Sequence, residues 1–536
     1  MEEIINELNV TILANGSEAL ENKSKTYNAK MSTIREAVLC TLLVESKMRG
    51  KPISCLDALG GTGQGIVGLQ LKKGLPTQAK VVISDRDSET VEVIRANCMR
   101  NDLTPNDLKL DFSRTPGDPQ EDQGPQEIHV CHCSVDVLLR MEAFEFVYLN
   151  PYGNYLCIYL DSLFCRLPNN GIACLVSADI SPLFARSAPS VLRQYGAHVM
   201  KTDYMKEMAA RVVIAAAARC ASRYNKGIEV LYTVCSNDYF LIVLRVGRGQ
   251  KHANISLNKV SYLLHCQMCE EREFYPETHT PIEEPYRFLQ CDCYANTPGK
   301  TGMVLGPMWK GEIFNGEFLQ RMLETSKEMS LSQGLKRLLA LLLEESFFVD
   351  LHTESLRQDK DKKGSGQSCE VSEFSSKPEE SFLLASSSSS NNHNTLIDNN
   401  NCKSVVHIPK EASQFSSANE ERQSESGEPV TSNVDTATHT SQSLILASGK
   451  RSCGKLEGPQ AKRIKYNWTQ LGSGAPCFYY NLHRMKFKAT QLPKSDKLVL
   501  LLRKHGFKAS RTHFDQYAIR TNATLNEMYQ IIKTAV

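Results

Sequence analysis

The feature that most constrains this chain is an alternation. Between residues 54 and 246, short apolar runs trade places with segments of helical periodicity. The runs Ser54–Leu59, Lys80–Asp85, Ile128–Cys133, Phe144–Leu149, Gly171–Ala178 and Ala197–Tyr204 have the length and β-branched content of buried strands. Helical patterns such as Ser88–Asn101 and Met205–Tyr224 lie between them, and Ile228–Val234 with Tyr239–Val246 reads as a closing hairpin. Apolar strands that alternate with amphipathic helices bury both faces of a mostly parallel sheet, so the expected class is α/β, doubly wound.

From about residue 351 the composition changes. Residues 353–460 are rich in Ser, Asn, Glu and Thr, include the run Ser386 to Ser390, and hold few aromatics. Such a stretch cannot bury enough apolar surface to offset its ordering entropy and is expected to be a disordered insert. The chain then divides into 1–250, a catalytic-type α/β domain; 251–352, the first part of a C-terminal domain; the insert 353–460; and 461–536, the basic remainder of that domain. With 62 Lys and Arg against 60 Asp and Glu, bulk charge excludes a polybasic nucleic-acid binder, and any such contact must come from local patches. The start, MEEIINELNV, lacks the basic region and apolar run of a signal peptide, and no run of about 18 uncharged apolar residues occurs. The expectation is a soluble protein of a reducing compartment, with no membrane contact and no obligate protein partner. Longer forms with an upstream extension are a hypothesis that transcript ends would settle.

The first strand runs into Leu59-Gly60-Gly61-Thr62-Gly63-Gln64-Gly65. Glycines such as Gly61 and Gly63 at a strand-to-helix turn let backbone approach a ligand, although a tight loop without a ligand uses them too. Asp85 ends the second strand, where a carboxylate can accept both hydroxyls of a ribose; Asp57, before the glycines, is a second candidate contact. Ser134-Val135-Asp136 follows the third strand, at the expected place of an adenine. The fourth strand ends in Asn150-Pro151-Tyr152-Gly153. The amine of a planar base is a poor nucleophile because its lone pair is delocalised. The Asn150 carboxamide oxygen can accept an amine N–H and aim the lone pair at a methyl group, while Tyr152 stacks on the base. An ordinary Asn-Pro turn is the plain alternative.

Cys266-x2-Cys269 and Cys291-x-Cys293 offer four thiolates in two close pairs, which suits a closed, structural Zn²⁺ site. His265 is a substitute ligand, and four unligated thiols are the alternative. Near the C-terminus Arg484, Lys486, Lys488, Lys494, Lys497, Arg503, Lys504, Lys508, Arg511 and Arg520 interleave with Tyr479, Tyr480, Phe487, Phe507 and Phe514, a pattern of phosphate contact plus base stacking, or else of a basic face over a small core. Lys450-Arg451, ten residues, then Lys462-Arg463-Ile464-Lys465 forms a bipartite basic signal that points to the nucleus, the nucleolus included, with the cytoplasm as the other location.

Several strings resemble the tRNA guanine N2-dimethyltransferase family. They are Tyr27-Asn28-Ala29-Lys30-Met31 through Arg35-Glu36, Leu56-Asp57-Ala58-Leu59 with Thr62-Gly63, Asn150-Pro151-Tyr152-Gly153 followed by Leu160-Asp161-Ser162, Glu207-Met208-Ala209 with Arg211, Gly306-Pro307-Met308-Trp309, Phe478 to His483, and Ala509-Ser510-Arg511-Thr512-His513-Phe514. The resemblance implies a Rossmann-like class I S-adenosylmethionine-dependent methyltransferase domain and a smaller α+β C-terminal tRNA-binding domain. It implies methylation of a guanine at the junction of the D-arm and anticodon stem, position 26 or the neighbouring 27. By the same carry-over Arg35, Asp85, Asp136 and Val137 contact the cofactor, Asn150 takes the place of a catalytic Asp, and Arg511, His513 and Arg520 face the RNA. Glycines stand at 65 and 68 where the family has arginines, one of which would hold the cofactor carboxylate. Those departures keep a second expectation open: a tRNA-binding or chaperone protein on a weak or inactive methyltransferase fold.

Overall fold

A computed structural model of the chain describes residues 3–14, 27–62, 64–108, 110, 128–151, 155–177, 181–236, 239–276, 284–297, 299, 301–347, 476–483 and 492–535. The insert, the bipartite basic signal, Gly63, Tyr152 and the cations at 484, 486 and 488 lie outside these residues.

A hairpin of β1 (Glu3–Glu7) and β2 (Val10–Ala14) precedes the main sheet. The sheet contains β3 (Ile53–Asp57), β4 (Ala79–Asp85), β5 (Pro105–Asp107), β6 (Ile128–His132), β7 (Phe146–Leu149), β8 (Ile172–Ser177), β9 (Lys226–Cys235) and β10 (Phe240–Arg248) in the order β5-β6-β4-β3-β7-β8-β10-β9. The first six pair in parallel, and β10 runs antiparallel between β8 and β9. Strands such as Ile172–Ser177, buried at every position, are continuous apolar runs because helices cover both faces. The helix Ser32–Arg49 ends where Gly50 turns left-handed at φ +60°, the usual stop for a helix whose next residue lacks a Cβ.

The expected doubly wound sheet and its closing hairpin are present. One strand is not: Ala197–Tyr204 forms a single bridge, His198 to Gly306, because β10 already occupies the place beside β8.

After the sheet, β11 (Val260–Cys266), β12 (Arg272–Phe274) and β13 (Gly302–Trp309) form a small antiparallel sheet. Helices Gly316–Glu328 and Gln333–Glu345 follow. The last segment adds β14 (Tyr480–Asn481), β15 (Ala509–Arg511) and β16 (Ala518–Thr521) in the order β14-β16-β15, with helices Ser495–Lys504 and Leu525–Ala535. Residues 1–359 and 462–536 make one compact unit. Trp309, Phe318, Leu339, Phe478, Tyr479 and Phe514 all join the apolar core of the main sheet. Among the described residues no helix is long and apolar enough to cross a membrane.

Candidate active site at the carboxyl edge of the sheet

The parallel strands bring their carboxyl ends to one edge, and the loops there carry the predicted residues. Gly60–Thr62 make a tight turn, and Gly65, at φ +82°, starts the helix Ile66–Gly74. Gly61 donates its N–H to Asp85 Oδ2 at 2.9 Å, and Asp87 donates to Oδ1 at 3.0 Å. A Cβ at Gly61 would stand 2.5 Å from Asp85 Oδ2 and 2.6 Å from Thr90 Cγ2, so only glycine lets the loop pass this close. Two backbone donors fix the Asp85 carboxylate and leave each oxygen a further lone pair for a ligand.

Asp57 is used differently. It is buried and accepts the Gly68 N–H at 3.0 Å. Burial pushes its carboxyl up to about 7, with the Gly68 hydrogen bond opposing the shift. It ties the glycine loop to the end of β3. Gly68 has no room for a longer residue, since a Cβ there meets Ile83 Cγ1 at 2.4 Å. An arginine at 68, within the helix Ile66–Gly74, would therefore have to displace Ile83.

Asp136 lies in the first turn of the helix Val135–Met141 and accepts from Ser162 Oγ at 2.6 Å, which explains the matching Leu160-Asp161-Ser162 string. Val137 beside it is 37% exposed. Arg35 is buried on the helix Ser32–Arg49, with Nε on Glu7 Oε1 at 2.7 Å and Nη1 on Asn28 O at 3.1 Å. Glu7 also accepts from the Tyr27 hydroxyl and from Gln70. Burial pushes the Glu7 carboxyl up, but the Arg35 and Tyr27 hydrogen bonds outweigh it and hold it below its ordinary range.

Asn150, just past β7, is 5% exposed and donates from Nδ2 to the Tyr148 hydroxyl at 3.3 Å. Tyr148 and Glu7 received no role from sequence. Tyr148 carried a usable signal, because residues two apart in a strand share a face. Glu7 carried none, since its partner is 28 residues away.

The four cysteine sulfurs lie within 4.8 Å of one another. Tetrahedral Zn–S bonds of about 2.3 Å require sulfurs roughly 3.8 Å apart, so this donor set fits the ion after small adjustment. Cys266 ends β11, and Glu270, in left-handed conformation at φ +64°, returns its N–H to Cys266 O at 2.8 Å, the tight turn that lets Cys269 face back. The cluster holds the four cysteines without His265, whose Nδ1 pairs with the buried Tyr204 hydroxyl at 2.8 Å.

The C-terminal segment requires a correction. Arg511 is 54% exposed. Arg520 is 1% exposed and bound to Glu207 Oε2 (2.8 Å) and Glu345 Oε2 (3.2 Å), while Nη1 donates to Pro476 O. His513 is 3% exposed; its Nε2 accepts from the Cys235 N–H, so Nδ1 donates to Glu345. Neither side chain is free to meet RNA. Tyr479, Tyr480 and Phe514 are likewise core residues, not stacking platforms. Lys494, Lys497, Arg503, Lys504, Lys508 and Arg511 are exposed, Arg503 and Arg511 beside Glu344 and Asp496. Glu207 also receives Arg211, and its carboxyl, despite burial, is held down to about 2 by Arg520 and Arg211.

Residues 9–356 and 466–533 match the family model described as N2,N2-dimethylguanosine tRNA methyltransferase. The tRNA (guanine(27)-N(2))-dimethyltransferase of Mus musculus is 34% identical over 99% of this chain, which spans 63% of that relative's length. The tRNA (guanine(26)-N(2))-dimethyltransferase of Methanosphaera stadtmanae is 26% identical over 57% of this chain and 70% of its own. Among solved structures, Trm1 from Pyrococcus horikoshii with S-adenosyl-L-methionine superposes with a TM-score of 0.60 at 17% identity, covering 99% of both chains, which shows a shared fold. On the extent of the family match, the chain belongs to the N2,N2-dimethylguanosine tRNA methyltransferase family.

Proposed function

We propose that this chain methylates the exocyclic amine of a tRNA guanine with S-adenosylmethionine, at the junction of the D-arm and anticodon stem. Position 27 is favoured by the name of the mouse relative. The observation that carries the reading is the placement of Asp85, oriented by Gly61, at the end of β4 and of Asn150 just past β7, the two strands that flank β3 in the parallel part of the sheet. Bound there, the cofactor supplies an electrophilic methyl group. Asp85 would hold its ribose, Val137 and Asp136 its adenine, and Arg35 its carboxylate through the donors that Glu7 and Asn28 leave over. Asn150 Oδ1 would accept a guanine N–H and turn the lone pair toward the methyl group, with Tyr152 against the base. The ring nitrogen substituent becomes acidic only after transfer, so water can take the proton that an amide cannot. The exposed face around Arg511 would grip the RNA backbone while the guanine leaves its stack. A structural Zn²⁺ on Cys266, Cys269, Cys291 and Cys293 belongs to this reading, as does nuclear import through the basic pairs at 450–451 and 462–465.

The glycine at 68, with no room for an arginine beside Ile83, and the Glu7-bound fork of Arg35 favour one alternative, a tRNA-binding protein without turnover. Titration calorimetry with S-adenosylmethionine, paired with transfer of labelled methyl to undermodified tRNA, separates the two. Binding and transfer, both lost in Asp85→Ala, support the enzyme. Tight tRNA binding with neither supports the alternative.

A further inference from the structure

Asn150 differs from a carboxylate in one respect that matters for a base amine: its two edges are unlike. One edge accepts and the other donates. The guanine amine offers donors, so only the Oδ1 edge can serve it, and an amide turned over would set N–H against N–H. Something must therefore select the edge. Pro151 follows directly and has no N–H to offer the amide oxygen, and Asn150 itself is 5% exposed.

Tyr148 is the group in place. It is 3% exposed, lies on the same side of β7 as Asn150, and its hydroxyl oxygen accepts from Asn150 Nδ2 at 3.3 Å. Its neighbours keep it a neutral phenol. Burial pushes the hydroxyl well above its ordinary value, the charge of Asp57 on the adjacent β3 adds to this, and Arg35 opposes it. In this arrangement the phenol oxygen accepts from the carboxamide N–H, which leaves Oδ1 for the amine. A phenylalanine of the same shape would leave that buried N–H without a partner and the amide without a preferred edge.

We propose that Tyr148 is a positioning residue that holds the Asn150 carboxamide with its oxygen toward the substrate amine. The inference rests on the methyl-transfer reading given above. It explains how an asparagine can stand where the resemblance implied an aspartate: a carboxylate accepts on both edges and needs no orienting partner, whereas an amide does.

A double-mutant cycle tests it, because only the asymmetry of the amide makes Tyr148 matter. With the full chain, Tyr148→Phe is expected to lower kcat about tenfold while KM for tRNA and for the cofactor stays unchanged. In an Asn150→Asp background the same substitution is expected to change kcat by less than about threefold. An equal loss in both backgrounds, or none in the unmutated chain, overturns the proposal. A second readout needs no turnover. With asparagine-selective ¹⁵N labelling, the Asn150 Nδ2 protons should exchange slowly with solvent in the unmutated chain and quickly in Tyr148→Phe. Unchanged exchange overturns the orientation. Protection lost in the variant, in a chain that shows no methyl transfer, supports the orientation and contradicts the functional reading instead.

Discussion

Gly61 and Asp57 show how single residues set the carboxyl edge of the sheet. A Cβ at Gly61 would drive against both Asp85 Oδ2 and Thr90, so Gly61→Ala must displace the carboxylate that the proposed ribose contact needs. Its expected effect is a rise of about tenfold or more in the cofactor Kd, read by calorimetry, with a smaller change in melting temperature. Asp57 makes a pH prediction. Its folded-state carboxyl, raised by burial to about 7, stays protonated where the unfolded chain has already ionised. Stability should therefore fall as pH rises from about 4 to 7, by on the order of 4 kcal/mol, and level off above. Subtracting the denaturation curve of Asp57→Asn isolates that slope, and parallel curves for the two proteins would refute it. Asp85 was legible in the sequence because its distance from the glycines is set by the length of one βα unit. The role of Asp57 was not, since a residue before a glycine loop can face either the ligand or the loop's own N–H groups.

At the scale of elements, β16 and the helices Met205–Arg223 and Gln333–Glu345 meet in a buried charge network built on Glu207 and Glu345. Removing one charge strands the others away from water, so Glu207→Gln is expected to cost about 3–5 kcal/mol in urea denaturation. The network has a definite pH signature. Glu207 titrates in the folded state near 2, below its unfolded value, so its contribution is full above about 4.5 and is lost as pH falls toward 2. By contrast, Arg511 is exposed against an exposed Asp496. Arg511→Ala should leave stability within about 0.5 kcal/mol, weaken tRNA binding, and reduce the salt dependence of that binding by about one ion. Sequence could not separate Arg511 from Arg520, because they lie on the paired strands β15 and β16, and only the register, Ser510 opposite Arg520, sets them on opposite faces. The small sheet of β11, β12 and β13 makes its own prediction. Among the described residues its local core near the cysteines has Leu264, Cys266 and Leu289 buried, with Tyr275 and Tyr286 partly buried against them, a small core to hold the turn unaided. Purified protein should carry one Zn²⁺ per chain by mass spectrometry, and Cys291→Ser should lower both that content and the melting temperature.

For the whole molecule, the formal charge of +2 averages unlike parts. The sheet and its helices are legible in the sequence because buried parallel strands must be continuous apolar runs. The division into domains was harder to read. Trp309, Phe478 and Phe514, far apart in the chain, pack into the core of the main sheet, and only tertiary contact reveals that. Since residues 1–359 and 462–536 form one unit, replacing 360–461 by a short flexible linker should leave melting temperature and tRNA binding unchanged, while the same deletion carried to residue 480 should unfold the protein by removing Phe478 and Tyr479. The most direct test of the account is nucleoside mass spectrometry of undermodified tRNA after incubation with the full chain and S-adenosylmethionine carrying a deuterated methyl group. The account predicts label in N2-methylated guanosine at one junction position, lost with Asn150→Ala while tRNA binding persists. Label absent from every guanosine with a cofactor-bound protein, or label undiminished in Asn150→Ala, would contradict it.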